Sequence, residues 1–159
     1  ITNILQIKKD KLNIIPELFS DTSDIYRILN RLEKKIDIDK TADGAGKNQK
    51  DSFRRVSRSF GFDYKNKDKK KVEKICKKIS TIQLNKISST ITKIRSKFSL
   101  GKHPIILSGI GQEILHKYLN ENGYESIFLK SLLKKSKLNK EASFHAPALC
   151  IALLLKDLK

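Results

Sequence analysis

Apolar positions at Ile4, Leu5 and Ile7 give way to a polar Lys9-Asp10-Lys11 turn and resume from Leu12 to Ile15. That is the pattern of a hairpin, or of a strand with an extended return, and Pro16 ends it. Ile25, Ile28, Leu29 and Leu32 then recur at helical spacing behind Ser20, Asp21 and Thr22, whose side chains can accept from the free amides of a first turn. The 37–46 stretch reads as a loop. A second helix is expected from about Gln49 to Phe60, burying Phe53, Val56 and Phe60 and ended by Gly61. A long helical region follows from Lys69 to Phe98. It carries one stripe of Val72, Ile75, Cys76 and Ile79 and another of Ile87, Ile91, Ile94 and Phe98, with Asn85 as the expected break.

The pattern changes at Gly101. Pro104-Ile-Ile-Leu-Ser108 is a short continuous apolar run of the kind found in buried parallel strands, and Gly109-Ile-Gly111 leads it into a helix with Ile114, Leu115, Tyr118 and Leu119. Gly123 closes that helix, and 124–129 reads as the next strand, which makes a right-handed β-α-β crossover. The final helix begins near Pro147, runs to about Leu158 and is apolar nearly all round, so burial against a sheet is expected. The organisation expected is therefore residues 1–100, a strand segment with a helical region, followed by a β-α-β-α remainder over 101–159.

A chain of 159 residues suffices for a real core, and it begins at Ile1 and contains no Met. This leads to the expectation of the later part of a longer protein. Thirty-four Lys and Arg against seventeen Asp and Glu give a formal charge of +17, which attracts polyanions. Most of the excess is Lys scattered among Ile and Asn, however, and the lysine runs 65–71 and 134–140 lack the interleaved aromatics and Arg forks of nucleic-acid readers. Nucleic acid is not the expected partner. Cys76 and Cys150 are isolated, the three His have no ligand spacing, and the longest apolar run is about half of a membrane span. A reducing cytoplasm and no membrane are expected.

Three constellations carry candidate chemistry. Asp21 and Asp24 share the first turn of a helix, where they serve either as capping residues or as a pair that places a divalent cation or works as acid and base. The segment Thr41-Ala-Asp-Gly-Ala-Gly-Lys47 ends like a P-loop, yet Thr41 stands where the first glycine is required and Asn48 where Ser or Thr would ligate magnesium. Asp43 and Lys47 in that loop precede a helix with Arg54, Arg55 and Arg58, an arrangement equally able to neutralise a diphosphate or to form a capped loop with a solvated arginine face. Ser108-Gly-Ile-Gly111 joins a strand to a helix N-terminus; it reads as a tight turn or as part of a nucleotide cradle.

Taken together, Pro16-Glu-Leu-Phe-Ser-Asp-Thr-Ser-Asp-Ile-Tyr-Arg-Ile-Leu29, Thr41 to Lys47, Ser52-Phe-Arg-Arg-Val-Ser-Arg58, Ser108 to Gly111 and Ala146-Pro-Ala148 resemble a family. It is the hydantoinase/oxoprolinase-related proteins of the tetrahydromethanopterin-linked one-carbon transfer pathway, and the resemblance covers about residues 12–156. Ser20 and Ser23 replace the family's usual small Ala, and Ala45 stands at a position commonly basic or polar. The resemblance implies an α/β chain forming the C-terminal half of an acetate-kinase, sugar-kinase, Hsp70 and actin type of fold, with ribonuclease-H-like halves and a helical insertion. The absent half would be its partner.

It also implies an enzyme of methanofuran-type cofactor biosynthesis. Such an enzyme condenses an aminomethylfuran-methyl diphosphate with the phenol of γ-glutamyltyramine and releases diphosphate. On this reading Asp24 and Asp43 place a divalent cation, magnesium by expectation, or the attacking phenol. Thr41, Gly44, Lys47, Ser52, Arg55 and Arg58 form the phosphate site, and Ser108, Gly109 and Gly111 the nucleotide-like loop, ATP being implied by fold analogy alone. The alternatives are an ATP-dependent kinase, ATPase or oxoprolinase-type enzyme of the same fold, and a basic nucleic-acid-binding or scaffold module.

Overall fold

The computed structural model describes residues 4–7, 10–133 and 140–157. The chain is mixed α/β and forms two compact units, Ile1–Asn85 and Lys86–Lys159. The expected turn at Lys9, most of the lysine run 134–140 and the end of the last helix at Leu158 lie outside the described residues.

In the first unit, β1 (Ile4–Ile7) pairs antiparallel with β2 (Asp10–Asn13), Leu5 standing opposite Leu12. Period-two alternation turns Leu5 and Ile7 into the core and Gln6 outward. Against them pack Ile25 and Ile28 of α1 (Thr22–Ile28), Phe53 and Val56 of α2 (Gln49–Ser59), and Val72, Ile75 and Cys76 of α3 (Lys69–Lys97). Phe53 stacks on Tyr64 with ring centroids 4.9 Å apart. The Ile15 amide donates to the Ser59 carbonyl, and the Ser20 and Ser59 hydroxyls lie 2.8 Å apart. These contacts tie the segment after the hairpin to the end of α2.

The helix ends share one device. After α2, Gly61 takes φ +75°, its amide donates to the Arg58 carbonyl, and the Phe62 amide reaches back to Ser57. This double closure satisfies carbonyls left over by the last turn. Asn30 does the same after α1 with φ +54°, its amide donating to Arg27 while that of Arg31 reaches Tyr26. Asn tolerates the left-handed region better than most side chains, which is why α1 can stop there without glycine.

In the second unit, β3 (Ile105–Leu107) lies parallel to β4 (Ser126–Phe128), the expected crossover passing through α4 (Gln112–Glu121). A short helix α5 (Leu129–Leu132) follows, and α6 (Ala146–Asp157) closes the described chain.

Five expectations need correction. Helix α3 continues through Asn85 without a break, because one Asn costs a helix only a few tenths of a kcal/mol, about 0.5 or so. Ile94 and Phe98 of its second stripe are exposed, as is Ile106 of β3, and β4 is shorter than 124–129. Ile151, Leu154 and Leu155 of α6 are also exposed, so the burial expected of that helix is not met by them. Apolar periodicity specifies the element; what covers each face is decided by residues far away in sequence.

Candidate functional site

The first turn of α1 organises the site. Asp21 caps the helix by accepting from the Asp24 amide at 3.0 Å, and Asp24 Oδ2 accepts in return from the Asp21 amide. The capping reading thus holds for this pair, but Asp24 does more than cap. Its side chain is fully buried, and so is that of Arg55 on α2. Arg55 Nη2 donates to Asp24 Oδ1 at 2.7 Å, and Nε sits 3.0 Å from both oxygens. Arg27, one turn along α1, adds a third contact to Oδ1 at 2.9 Å.

From that pair the network runs two ways. Arg55 Nη1 donates to Asp43 at 3.0 Å, and Nη2 also reaches the Gly46 carbonyl and Ser52 Oγ. Arg27 grips Asp37 with Nε and Nη2, at 2.5 and 2.6 Å, in a two-pronged pair. Lys47 donates to the Asp37 carbonyl and lies 3.6 Å from its carboxylate, while Arg58 stands 3.9 Å from Asp43. Three carboxylates therefore face four cations, and the two arginines of the interior are each held by two acids. The loop between them is closed by its own bonds: Thr41 Oγ1 donates to the Ala45 carbonyl, Asp43 accepts from the Ala45 amide, and the Gly44 amide donates to Thr41.

The charges have readable consequences. The hydrogen bond from Arg27, opposed by burial and helped by the charges of Arg27 and Lys47, holds the Asp37 carboxyl below its ordinary value. For Asp43, burial pushes upward, but the Ala45 amide and Arg55 outweigh it and leave the carboxyl lowered. Both acids are anionic at neutral pH, and Asp43 is a poor proton acceptor there.

The structure brings Asp24, Thr41, Asp43, Gly44, Lys47, Ser52, Arg55 and Arg58 into one neighbourhood of the first unit. Ser52 and Arg55 are fully buried, whereas the Lys47 and Arg58 side chains are 37% and 50% exposed. Arg55 faces carboxylates, a carbonyl and a hydroxyl, so its donors are engaged within the chain. Asp37 and Gln49 went unmarked in the sequence. The Gln49 amide donates to the Arg27 and Ile28 carbonyls and to Asn30 Oδ1 at 2.9 Å. Nothing local singles out Asp37, which stands among Glu33, Asp39 and three lysines.

Beside this network opens a cleft of about 780 Å³, with Arg27, Asn30, Lys34, Asp37, Lys47 and Gln49 on its walls. Its size falls in the range of small-molecule pockets, about 300–1,000 Å³.

Ser108, Gly109 and Gly111 belong to the second unit. Gly109 takes φ +86°, its amide donates to the Ser143 carbonyl, and Gly111 stands at the N-cap of α4. Space above both glycines is open, with nothing within 4 Å of an added Cβ. Next to them Gln112 is fully buried; its Oε1 accepts from Ser143 at 3.4 Å and its Nε2 has no partner among the described residues.

Asp24 is closed to a resident metal ion. Both oxygens of Asp24 are taken by guanidinium and amide donors, and among the described residues no three His, Cys, Asp or Glu side chains gather. Among them, too, no helix is long and apolar enough to cross a membrane.

No protein-family model matches the chain. Two curated relatives do. A protein of Methanocaldococcus jannaschii is 26% identical over 156 residues, covering 98% of this chain and 44% of its own length. One of Methanococcus vannielii is 24% identical over 157 residues, covering 99% of this chain and 69% of its own. Both are named as synthases of one furan amine, a furan-2-yl methanamine bearing a γ-L-glutamylaminoethyl-phenoxymethyl group. The chain thus spans less than half of the Methanocaldococcus relative.

Proposed function

We propose that the chain is part of a cytoplasmic transferase of methanofuran-type cofactor biosynthesis, in tetrahydromethanopterin-linked one-carbon metabolism, that forms an aryl alkyl ether and releases diphosphate. The observation that carries this is that both relatives, matched along nearly the whole chain, are named for one product containing a phenoxymethyl link. Such a link forms when the phenol oxygen of γ-glutamyltyramine attacks the methylene carbon of an aminomethylfuran-methyl diphosphate. The new carbon–oxygen bond forms, the bond to diphosphate breaks with its electron pair leaving on the diphosphate, and the phenolic proton passes to water.

The requirement of that reaction is charge stabilisation of the leaving group. Lys47, an exposed cation of the network, receives the diphosphate, and Arg58, the other, adds positive charge from beside Asp43. Arg55 acts through Asp24 and Asp43: it fixes the 41–47 loop from beneath and is a positioning residue, with Ser52 behind it and Thr41 and Gly44 shaping the turn. Asp43, anionic and half-exposed, orients the phenol and does not abstract its proton. The divalent cation is assigned to the diphosphate it accompanies as part of the substrate. The fold is read as the second lobe of the kinase, Hsp70 and actin type, completed by a further lobe.

The test is a chimera in which this chain replaces the matching segment of the Methanocaldococcus relative. Ether formation from the furan diphosphate and γ-glutamyltyramine is expected, followed by mass spectrometry. A chimera that unfolds cooperatively yet makes no ether would sink the reading.

A second reading is an ATP-dependent enzyme of the same fold, for which the open Ser108–Gly111 turn at the start of α4 would be the place of a nucleotide phosphate.

A further inference from the structure

We infer that the cleft between the end of α1 and the start of α2 is the seat of a diphosphate, with Lys34 and Asn30 joining Lys47 as its ligands. The inference rests on the transferase reading for its substrate class and goes beyond it in naming the seat. Arg27, Lys34 and Lys47 bring three cations to the walls, and Asp37 a single carboxylate that Arg27 and Lys47 already share. Arg27 is also paired with Asp24, so the excess positive charge rests on Lys34 and Lys47, and it complements a diphosphate ester better than a singly charged carboxylate.

The donors that remain are the second point. Lys34 is exposed and has no ion-pair partner among the described residues. Lys47 spends one donor on the Asp37 carbonyl and keeps others. Asn30 is held by the left-handed closure of α1 and lines the cleft; its Oδ1 is fixed by Gln49, and its Nδ2 has no hydrogen-bond partner among the described residues. Asn30 stands at the closure of α1, Lys34 at the start of a short 3-10 turn and Lys47 in the loop leading into α2, with Arg27 locked behind them by Asp37 and Asp24. A charged acceptor meeting preset donors gains about twice the strength of a neutral hydrogen bond. The cleft also exceeds the room that a lone phosphate fills, so the ester's organic group has space.

Calorimetric titration of the chain with inorganic diphosphate, orthophosphate and sulfate at fixed ionic strength tests this. Diphosphate is expected to bind at least about tenfold more tightly than the other two, and Lys34→Ala to weaken it about tenfold, since a hydrogen bond to a charged group is of that order. Lys50→Ala removes an equal charge from an exposed position off the cleft walls and is expected to change binding less than about twofold. Equal losses in the two variants, or equal binding of all three anions, would overturn the seat and leave only a diffuse basic field. Further titrations with a furan-methyl diphosphate and with ATP identify the source, the tighter ligand being the one whose diphosphate the seat takes. Diphosphate selectivity with no ether from the chimera sinks the transferase reading alone; ether formation without diphosphate selectivity sinks the seat alone.

Discussion

Asp24 on α1 and Arg55 on α2 stand 31 positions apart and meet in the interior through contacts of 2.7–3.0 Å, with neither side chain exposed. Two buried charges are costly to desolvate, and such a pair persists only where further hydrogen bonds occupy both partners. Here Arg27 and the Asp21 amide complete Asp24, while Asp43, Gly46 and Ser52 complete Arg55. The pair therefore fixes the 41–47 loop from beneath at the same time as it joins two helices.

Removing one partner strands the other. Arg55→Ala is expected to lose about 3–5 kcal/mol in urea unfolding, and Arg55→Lys not to restore it, because an ammonium cannot reproduce the two-pronged geometry. The double variant Asp24→Leu with Arg55→Met should lose less than the sum of the single losses. Additive losses would show that the two residues act independently.

Acid should act through Asp37 and Asp43. Their folded pKa values lie below the ordinary 3.8, so the stability they contribute is complete above that value. It is lost as pH falls through the lower, folded values. Asp37→Asn should therefore be less stable than the parent protein at neutral pH, and the gap should shrink below about pH 3.8. Urea midpoints across that range measure it; a gap independent of pH would contradict the assignment.

The two thiols should separate by reactivity. Burial, with the charge of Asp24 adding to it, pushes the Cys76 thiol up to about 12, while Cys150 is exposed. At neutral pH a thiol reagent should modify Cys150 in the native protein and Cys76 only after urea is added. The sign for stability is alkaline: the folded state keeps a Cys76 proton that the unfolded chain gives up above its ordinary 9.0, so stability falls as pH rises from there toward 12.

Gly44 tests the loop itself. It takes φ +70° with nothing within 4 Å of an added Cβ, so Gly44→Ala meets backbone strain and no clash. The expected loss is about 1–2 kcal/mol. A neutral result in thermal unfolding would show that the turn relaxes freely.

Much of the local structure was legible. Asp21 and Gly61 marked a helix start and stop, and alternation at Leu5 and Ile7 marked a buried strand face. The spacing of Asp21 and Asp24 also disclosed the cap. It could not disclose that Asp24 meets Arg55, since no local period links positions in different elements, and the same holds for Arg27 with Asp37. The stripe ending in Phe98 and the nearly all-round apolar segment after Pro147 predicted helices correctly but misplaced their burial, because a helical pattern is silent on what lies opposite.

The most direct measurement follows an ¹⁸O label placed in the phenol hydroxyl of γ-glutamyltyramine, supplied with the furan diphosphate and ATP to the chimera that carries this chain. Attack of the phenol on carbon predicts the label in the ether oxygen of the furan product, with unlabelled diphosphate released. Label found instead in a phosphate ester of the phenol would mean that phosphorus, not carbon, is attacked, and the chain would then be part of a kinase.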